Sequence, residues 1–242
     1  MPAGGGRVFR VARSAWKVFC YSLGALVIAV VAVQSWFYAH VLWWRLFDPA
    51  STAFMEARVE QLRGRDPKAK LAHRWADYER ISPQLKRAVV AAEDAKFVGH
   101  DGFDWEAISK AIEKNEKKGR VVSGASTISQ QLAKNLFLSG ERSWLRKGQE
   151  AVITWMLEST MSKQRILELY LNFAEWGDGV FGAEAAARYH FGTSAAGLNA
   201  TQAAFLAAIL PSPRRYGPGA ITPYVAGRIE TILARMPAAQ IP

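Results

Sequence analysis

The longest uniform stretch of hydrophobic positions in this chain lies near its start. From Val18 to Trp44 there is no Asp, Glu, Lys or Arg, and Gln34 and His40 are the most polar members. About 20 apolar residues suffice to cross a bilayer, so the run predicts a transmembrane helix over 18–44. Residues 26–33 are its centre, and Trp36, Phe37, Tyr38, Trp43 and Trp44 form an aromatic belt at its far end. A cleaved signal peptide is the competing reading, but the stretch is too long, too aromatic at its end and without a small-x-small cleavage site.

Beyond the span the apolar positions recur at helical spacing. Residues 48–53 read as a linker and 54–62 as a modest helix that Gly64-Arg65-Asp66-Pro67 breaks. Ser82 and Pro83 are N-cap and first position of a helix with Leu85, Ala88, Val89 and Ala92 as its stripe. Asp104 caps a segment with Trp105, Ile108, Ala111 and Ile112 on one face; Ser126 or Thr127 starts another carrying Ile128, Leu132 and Leu136. Residues 144–161 form a long helix, Ser162 caps 166–171, Asn199 caps 200–210, and Thr222-Pro223 opens the last. The polar, Gly-ended run Glu113 to Arg120 predicts a mobile loop, Gly177 to Gly182 a tight connection, and Pro211 to Pro218 an extended segment. No stretch alternates with period two between turn signals, so strands are few or absent. The prediction is one mainly α globular domain on a membrane stalk: a basic tail over 1–17, the span over 18–44, a juxtamembrane linker and helix over 45–80, and the main domain over 81–242.

Composition sharpens this picture. A hydrophobic content of 50% over 242 residues is ample for a core as well as a span. Arg7, Arg10, Arg13 and Lys17 precede the span with no acidic residue among them, which keeps the N-terminus in the cytoplasm and the main domain outside. Cys20 is the one cysteine, so no intramolecular disulfide forms; this fits a bacterial envelope protein. The net charge of +10 reads as a soluble basic surface, a face for anionic lipid or a site for an anionic substrate. Nucleic acid is disfavoured, since no recognition motif is present and the domain faces away from the cytoplasm.

Candidate chemistry starts at Glu93. It is the next position on the stripe of the helix that Ser82 caps, so an inward carboxylate stands at a helix C-terminus, where burial and macrodipole both raise its pKa. That suits a general base, and it equally fits a Glu snorkelling at the edge of a core, or one paired with Lys96. Arg142, Arg146 and Glu150 recur every four residues with Lys147 beside them. A cation N-terminal to an anion is a poor surface pair, so the face reads as a groove wall for an anion, or else as a solvated face. Gly124-Ala125-Ser126-Thr127 offers backbone donors and hydroxyls at a helix start, with Gln130, Gln131 and Lys134 opposite the apolar stripe. Capping and solvent exposure would also account for these.

Three strings together resemble the peptidoglycan glycosyltransferase family: Glu93-Asp94 through His100-Asp101-Gly102 to Asp104; residues 124–135; and Arg146-Lys147 through Glu150-Ala151 to Leu157-Glu158. Residues 166–172, Gly182-Ala183 and Ala186-Ala187 are similar to that family's next block, and Leu206-Ala207 through Pro211 to Tyr216-Gly217-Pro218 to its last. The resemblance covers about half the chain and, with a span in front, points to the monofunctional type. Two positions depart from the pattern: His190-Phe191-Gly192 stands where Tyr-Phe-Gly is frequent, and Gln202 where Glu is common.

The resemblance implies a lysozyme-like helical glycosyltransferase domain over 81–242, joining lipid-linked disaccharide-pentapeptide (lipid II) units into β-1,4 strands with inversion. It implies Glu93 as base and Glu150 as second catalytic glutamate and candidate ligand of a divalent cation, Mg2+ or Mn2+. Lys134, Arg142, Arg146 and Lys147 would meet the pyrophosphate, with Ser126, Thr127, Gln130, Gln131, Asn135, Asp94, Phe97 and His100 contributing to the substrate site. Implied partners are the growing lipid-linked strand, membrane lipids and other cell-wall synthesis and division proteins, at the bacterial inner membrane with the catalytic domain in the periplasm. The rival enzyme is a lysozyme-like hydrolase or lytic transglycosylase, for which the cation set has no use; the non-enzymatic rival is an inactive scaffold, against which the glutamate pair argues.

Overall fold

The computed structural model describes residues 5–120, 124–138 and 143–242. The chain divides into two compact units, Met1–Trp44 and Arg45–Pro242. The first is a single helix, α1 (Gly5–Trp44), whose portion Trp16–Trp44 is long and apolar enough to cross a membrane, with mean hydropathy 2.1. At its centre the apolar side chains Leu26, Val27 and Ile28 are exposed.

The second unit is mainly helical. Its order is α2 (Ala53–Arg63), β1 (Ala72–His73), α3 (Pro83–Glu93), α4 (Trp105–Lys118), α5 (Ile128–Phe137), α6 (Trp144–Thr160), α7 (Lys163–Phe173), β2 (Glu175–Gly177), β3 (Val180–Phe181), α8 (Ala183–Phe191), α9 (Ala200–Ile209) and α10 (Pro223–Arg235). The caps set these starts: Ser82, Asp104, Ser162, Asn199 and Thr222, as expected, and Thr127 of the two candidates Ser126 and Thr127, each accept a backbone N–H of the first turn. Helix α9 has every residue from Ala203 to Ile209 buried, the mark of a central core helix, and α3 and α10 pack on it. Helix α5 packs between α6 and α7, with α2 against it as well.

Two expectations change here. Residues 113–118 are not a loop: α4 runs on to Lys118 and ends at Gly119 with φ 61°. Glu106–Lys110 and Glu113–Lys117 pair one turn apart along it, the i,i+4 support that a purely compositional reading of the run overlooks. The glycine connection at 177–182 is part of a three-stranded sheet of order β1-β3-β2, with β2 antiparallel and β1 parallel to β3. Gly179 turns the hairpin at φ 74°, and a Cβ there would stand 2.9 Å from Leu62 Cδ1.

The two departures from the family pattern have structural explanations. His190 is buried, with Nε2 2.8 Å from the Trp176 carbonyl, and burial lowers its pKa. Gln202 forms a capping box with Asn199, its carbonyl accepting the Asn199 N–H at 3.0 Å.

Candidate active site

Helix α3 ends on Glu93 because its stripe does: Leu85, Ala88 and Val89 are fully buried, and the next inward position is the carboxylate. Asp94 then caps the helix and ties it to α5. Its Oδ2 accepts the Ile128 N–H at 3.0 Å, a carboxylate at a helix N-terminus, and its Oδ1 lies 2.9 Å from His100 Nε2. The Gly102 N–H donates to His100 Nδ1 at 3.1 Å, so Nε2 carries the proton given to Asp94. Thr127 caps α5 and donates from Oγ1 to the Gly102 carbonyl at 2.7 Å. These bonds dock the start of α5 on the end of α3 in a fixed register.

That register brings Gln131 to Glu93. The Gln131 side-chain amide donates from Nε2 to Glu93 Oε2 at 2.9 Å, while its Oε1 accepts the Tyr170 hydroxyl at 3.0 Å. Burial pushes the Glu93 pKa up; the Gln131 bond, Arg228 and Lys134 pull against the rise and Asp94 adds to it, leaving it above the usual carboxylate value. Tyr170, wholly enclosed, is pushed well above its ordinary value and stays a neutral donor. Lys96 does not pair with Glu93; it pairs with Glu106 at the surface.

One turn beyond Gln131, Lys134 lies between the two glutamates electrostatically. Burial lowers its pKa, Arg146 and Lys147 lower it further, and Glu150 and Glu93 oppose the fall. Glu150 is buried in the second turn of α6, bonded to Arg146 Nη1 at 2.8 Å and to Lys147 Nζ. Arg146 Nε is buried without a hydrogen-bond partner, a donor left over for a ligand. A cavity of about 600 Å3 unites these groups: Ser126, Gln130, Gln131, Lys134 and Asn135 line it from one side, Arg146, Lys147 and Glu150 from another, and Tyr170 and Arg214 close it. Glu93 adjoins the wall through Gln131.

Not every candidate reaches the cleft. Phe97 is fully buried, with Lys163 Nζ 4.6 Å from its ring centre. Asp94, His100 and Thr127 spend their polar atoms inside the protein, so the start of α5 is capped by Asp94 and Thr127 rather than held open for an anion. Gln130 lines the cavity but gives its carbonyl to the Thr127 N–H at 3.0 Å. Arg142 lies outside the described residues. Tyr170 and Arg228 were not singled out from the sequence, because only the packing of α7 and α10 brings them to Glu93 and Gln131.

The donor set does not form a divalent-cation cage. Both Glu150 oxygens are taken by cationic side chains, and no group of three or more His, Cys, Asp or Glu side chains suited to a metal occurs among the described residues.

Comparison with known proteins gives the family of the chain. Residues 59–237 match the family model described as Transglycosylase. The chain is 55% identical over 228 residues to a biosynthetic peptidoglycan transglycosylase of Nitrosospira multiformis, covering 94% of this chain and 97% of that one. It is 55% identical over 226 residues to a protein of the same name from Methylobacillus flagellatus, covering 93% and 99%. With most of its length matched by the family model and by these relatives, the chain belongs to the transglycosylase family.

Proposed function

We propose that this peptidoglycan glycosyltransferase polymerises lipid II into β-1,4 glycan strands with inversion, releasing polyprenyl pyrophosphate, and that Glu93 is its general base. The observation that carries this reading is a carboxylate, Glu93, held by Gln131 at the wall of a cavity that Lys134, Arg146, Lys147 and a buried second glutamate, Glu150, also line. A base tuned toward neutrality can take a proton from an attacking alcohol, and a pyrophosphate leaving group needs charge neutralisation more than protonation.

In the proposed step the 4-hydroxyl of the incoming unit attacks the anomeric carbon of the growing strand. The new O–C bond forms as the anomeric C–O bond breaks; the hydroxyl proton goes to Glu93, and the pyrophosphate departs with the bonding electrons. Base and leaving group act on opposite faces of the sugar, as single inversion requires. Lys134, Arg146 and Lys147 neutralise the departing charge, with Arg146 Nε free to donate. Glu150 holds Arg146 and Lys147 in place for this. A divalent cation, Mg2+ or Mn2+, would then come with the pyrophosphate rather than in a protein cage.

Location follows the same proposal. Both substrates are lipids, α1 is long enough to anchor the enzyme, and the basic flank before it favours a cytoplasmic N-terminus with the catalytic unit in the periplasm of a bacterial inner membrane. Other cell-wall synthesis and division proteins are the partners this setting proposes. The test is incubation of the purified full chain with labelled lipid II and Mg2+. Accumulation of polymer supports the proposal; shortening of preformed glycan strands without polymer formation would mark a hydrolase.

A further inference from the structure

A second cavity, of about 440 Å3, shares the turn at 211–213 and Arg214 with the active-site cleft. Arg58, Arg65, Arg214 and Arg215 line it, against the one carboxylate of Asp178. Its floor is rigid. Arg58 on α2 is 3% exposed and held by Glu175 at 2.9 Å, with Asp178 and Gln61 also bonded to its guanidinium. Arg214 lies 3.6 Å from the other Glu175 oxygen. Arg65 and Arg215, both exposed, have no side-chain hydrogen bond or ion pair among the described residues. Four guanidiniums thus face two carboxylates, and the excess positive charge rests on two forks without partners.

Guanidinium forks match the oxygens of a phosphate better than a neutral sugar does, and the cavity is large enough for a headgroup. Chain connectivity says where the ligand comes from. Helix α2, which carries Arg58 and leads to Arg65, begins after the eight residues 45–52 that follow α1. On a unit tethered to a membrane-spanning helix, cations without partners have the phosphates of lipid headgroups as their nearest source of anions.

We propose that this recess, which adjoins the catalytic cleft, is an anionic-lipid site in which Arg65 and Arg215 bind the phosphate of a lipid headgroup over the fixed Arg58. Its two sources are a bulk phosphodiester lipid and the pyrophosphate of a second polyprenyl-linked molecule. The inference rests on the membrane location proposed above, and not on the catalytic assignments. Because the recess and the cleft share Arg214, headgroup occupancy would set the position of the turn that closes the cleft.

The test is equilibrium binding with the full chain in uncharged detergent, so no turnover is needed and failure of the polymerase reading would leave it intact. The probes are micelles doped with dihexanoyl phosphatidylglycerol, the same with dihexanoyl phosphatidylcholine, and a short-chain prenyl pyrophosphate. Phosphatidylglycerol should bind in preference to phosphatidylcholine. The paired substitutions Arg65→Gln and Arg215→Gln should weaken it about thirty-fold, the worth of two cations at an anionic surface. Arg65→Lys with Arg215→Lys, which keeps the charges without the forks, should fall between wild type and the Gln pair, and Lys134→Gln, in the cleft, should retain all of the phosphatidylglycerol binding. If the Gln pair instead loses only the prenyl pyrophosphate, the site stands with the polyprenyl-linked source. Wild-type binding of both anionic probes by the Gln pair, with circular dichroism unchanged, would overturn the proposal.

Discussion

Gln131 offers the most quantitative test of how Glu93 is tuned. Its amide donates to the Glu93 carboxylate at 2.9 Å and so favours the anion, while Tyr170 fixes which end of the amide faces Glu93 by donating to its carbonyl. Gln131→Met keeps the volume and removes the donor. A hydrogen bond to a charged group contributes about 1.5–3 kcal/mol, and a pKa unit corresponds to about 1.4 kcal/mol. Lys134 and Arg228 continue to favour the anion, so the low end of that range applies. The Glu93 pKa should rise by about one unit. Since the anion is the active form, the acid limb of the rate profile moves to higher pH by the same amount. Tyr170→Phe should shift it in the same direction by less, because the amide can still donate but is no longer held. The assay is polymerisation of fluorescent lipid II across the acid limb, at saturating substrate, with circular dichroism to check folding. An acid limb that stays in place in both folded variants, or moves to lower pH, would refute the tuning argument.

Other consequences follow from the same geometry. Gly102→Ala places a Cβ 2.8 Å from Thr154 Cγ2 and 3.0 Å from Glu158 Cγ at φ 89°; it should cost about 2–3 kcal/mol, read as a clear fall in Tm. Glu150→Leu leaves Arg146 without its carboxylate in a largely buried setting, and should cost about 3 kcal/mol as well as activity, measured by denaturant unfolding and polymer yield. His190, neutral and bonded to Trp176, has its pKa lowered by burial. The unfolded chain therefore binds the extra proton first, so stability is full above about pH 6.5 and falls as pH drops below it. His190→Gln should flatten part of that fall in Tm-against-pH scans, and His73, shifted the same way, should account for more of it.

Several features of the site were legible because they depend on neighbours in sequence. Ser82, Thr127 and Ser162 announce their helices, and the stripe through Leu85 and Val89 places Glu93 inward without reference to any other segment. The spacing of Arg146, Lys147 and Glu150 likewise predicts a shared face, and both cations bond to Glu150. What was not legible is long-range. Nothing near Arg228 in sequence signals that α10 delivers its charge toward Glu93, and Tyr170 looks like any helical aromatic until α7 meets α5. The three strands are two or three residues long, too short for alternation to register. Phe97 and Thr127 show the converse: residues within the family's strings whose side chains serve the core and the cap.

The central claim is that Glu93 removes the proton of the attacking hydroxyl. The most direct measurement is polymer formation from labelled lipid II by Glu93→Gln, beside wild type, with thermal unfolding of both. The account predicts no product from the variant and a Tm no lower than wild type, since an amide replaces a carboxylate that burial disfavours. Polymerisation at the wild-type rate by the folded variant would contradict it.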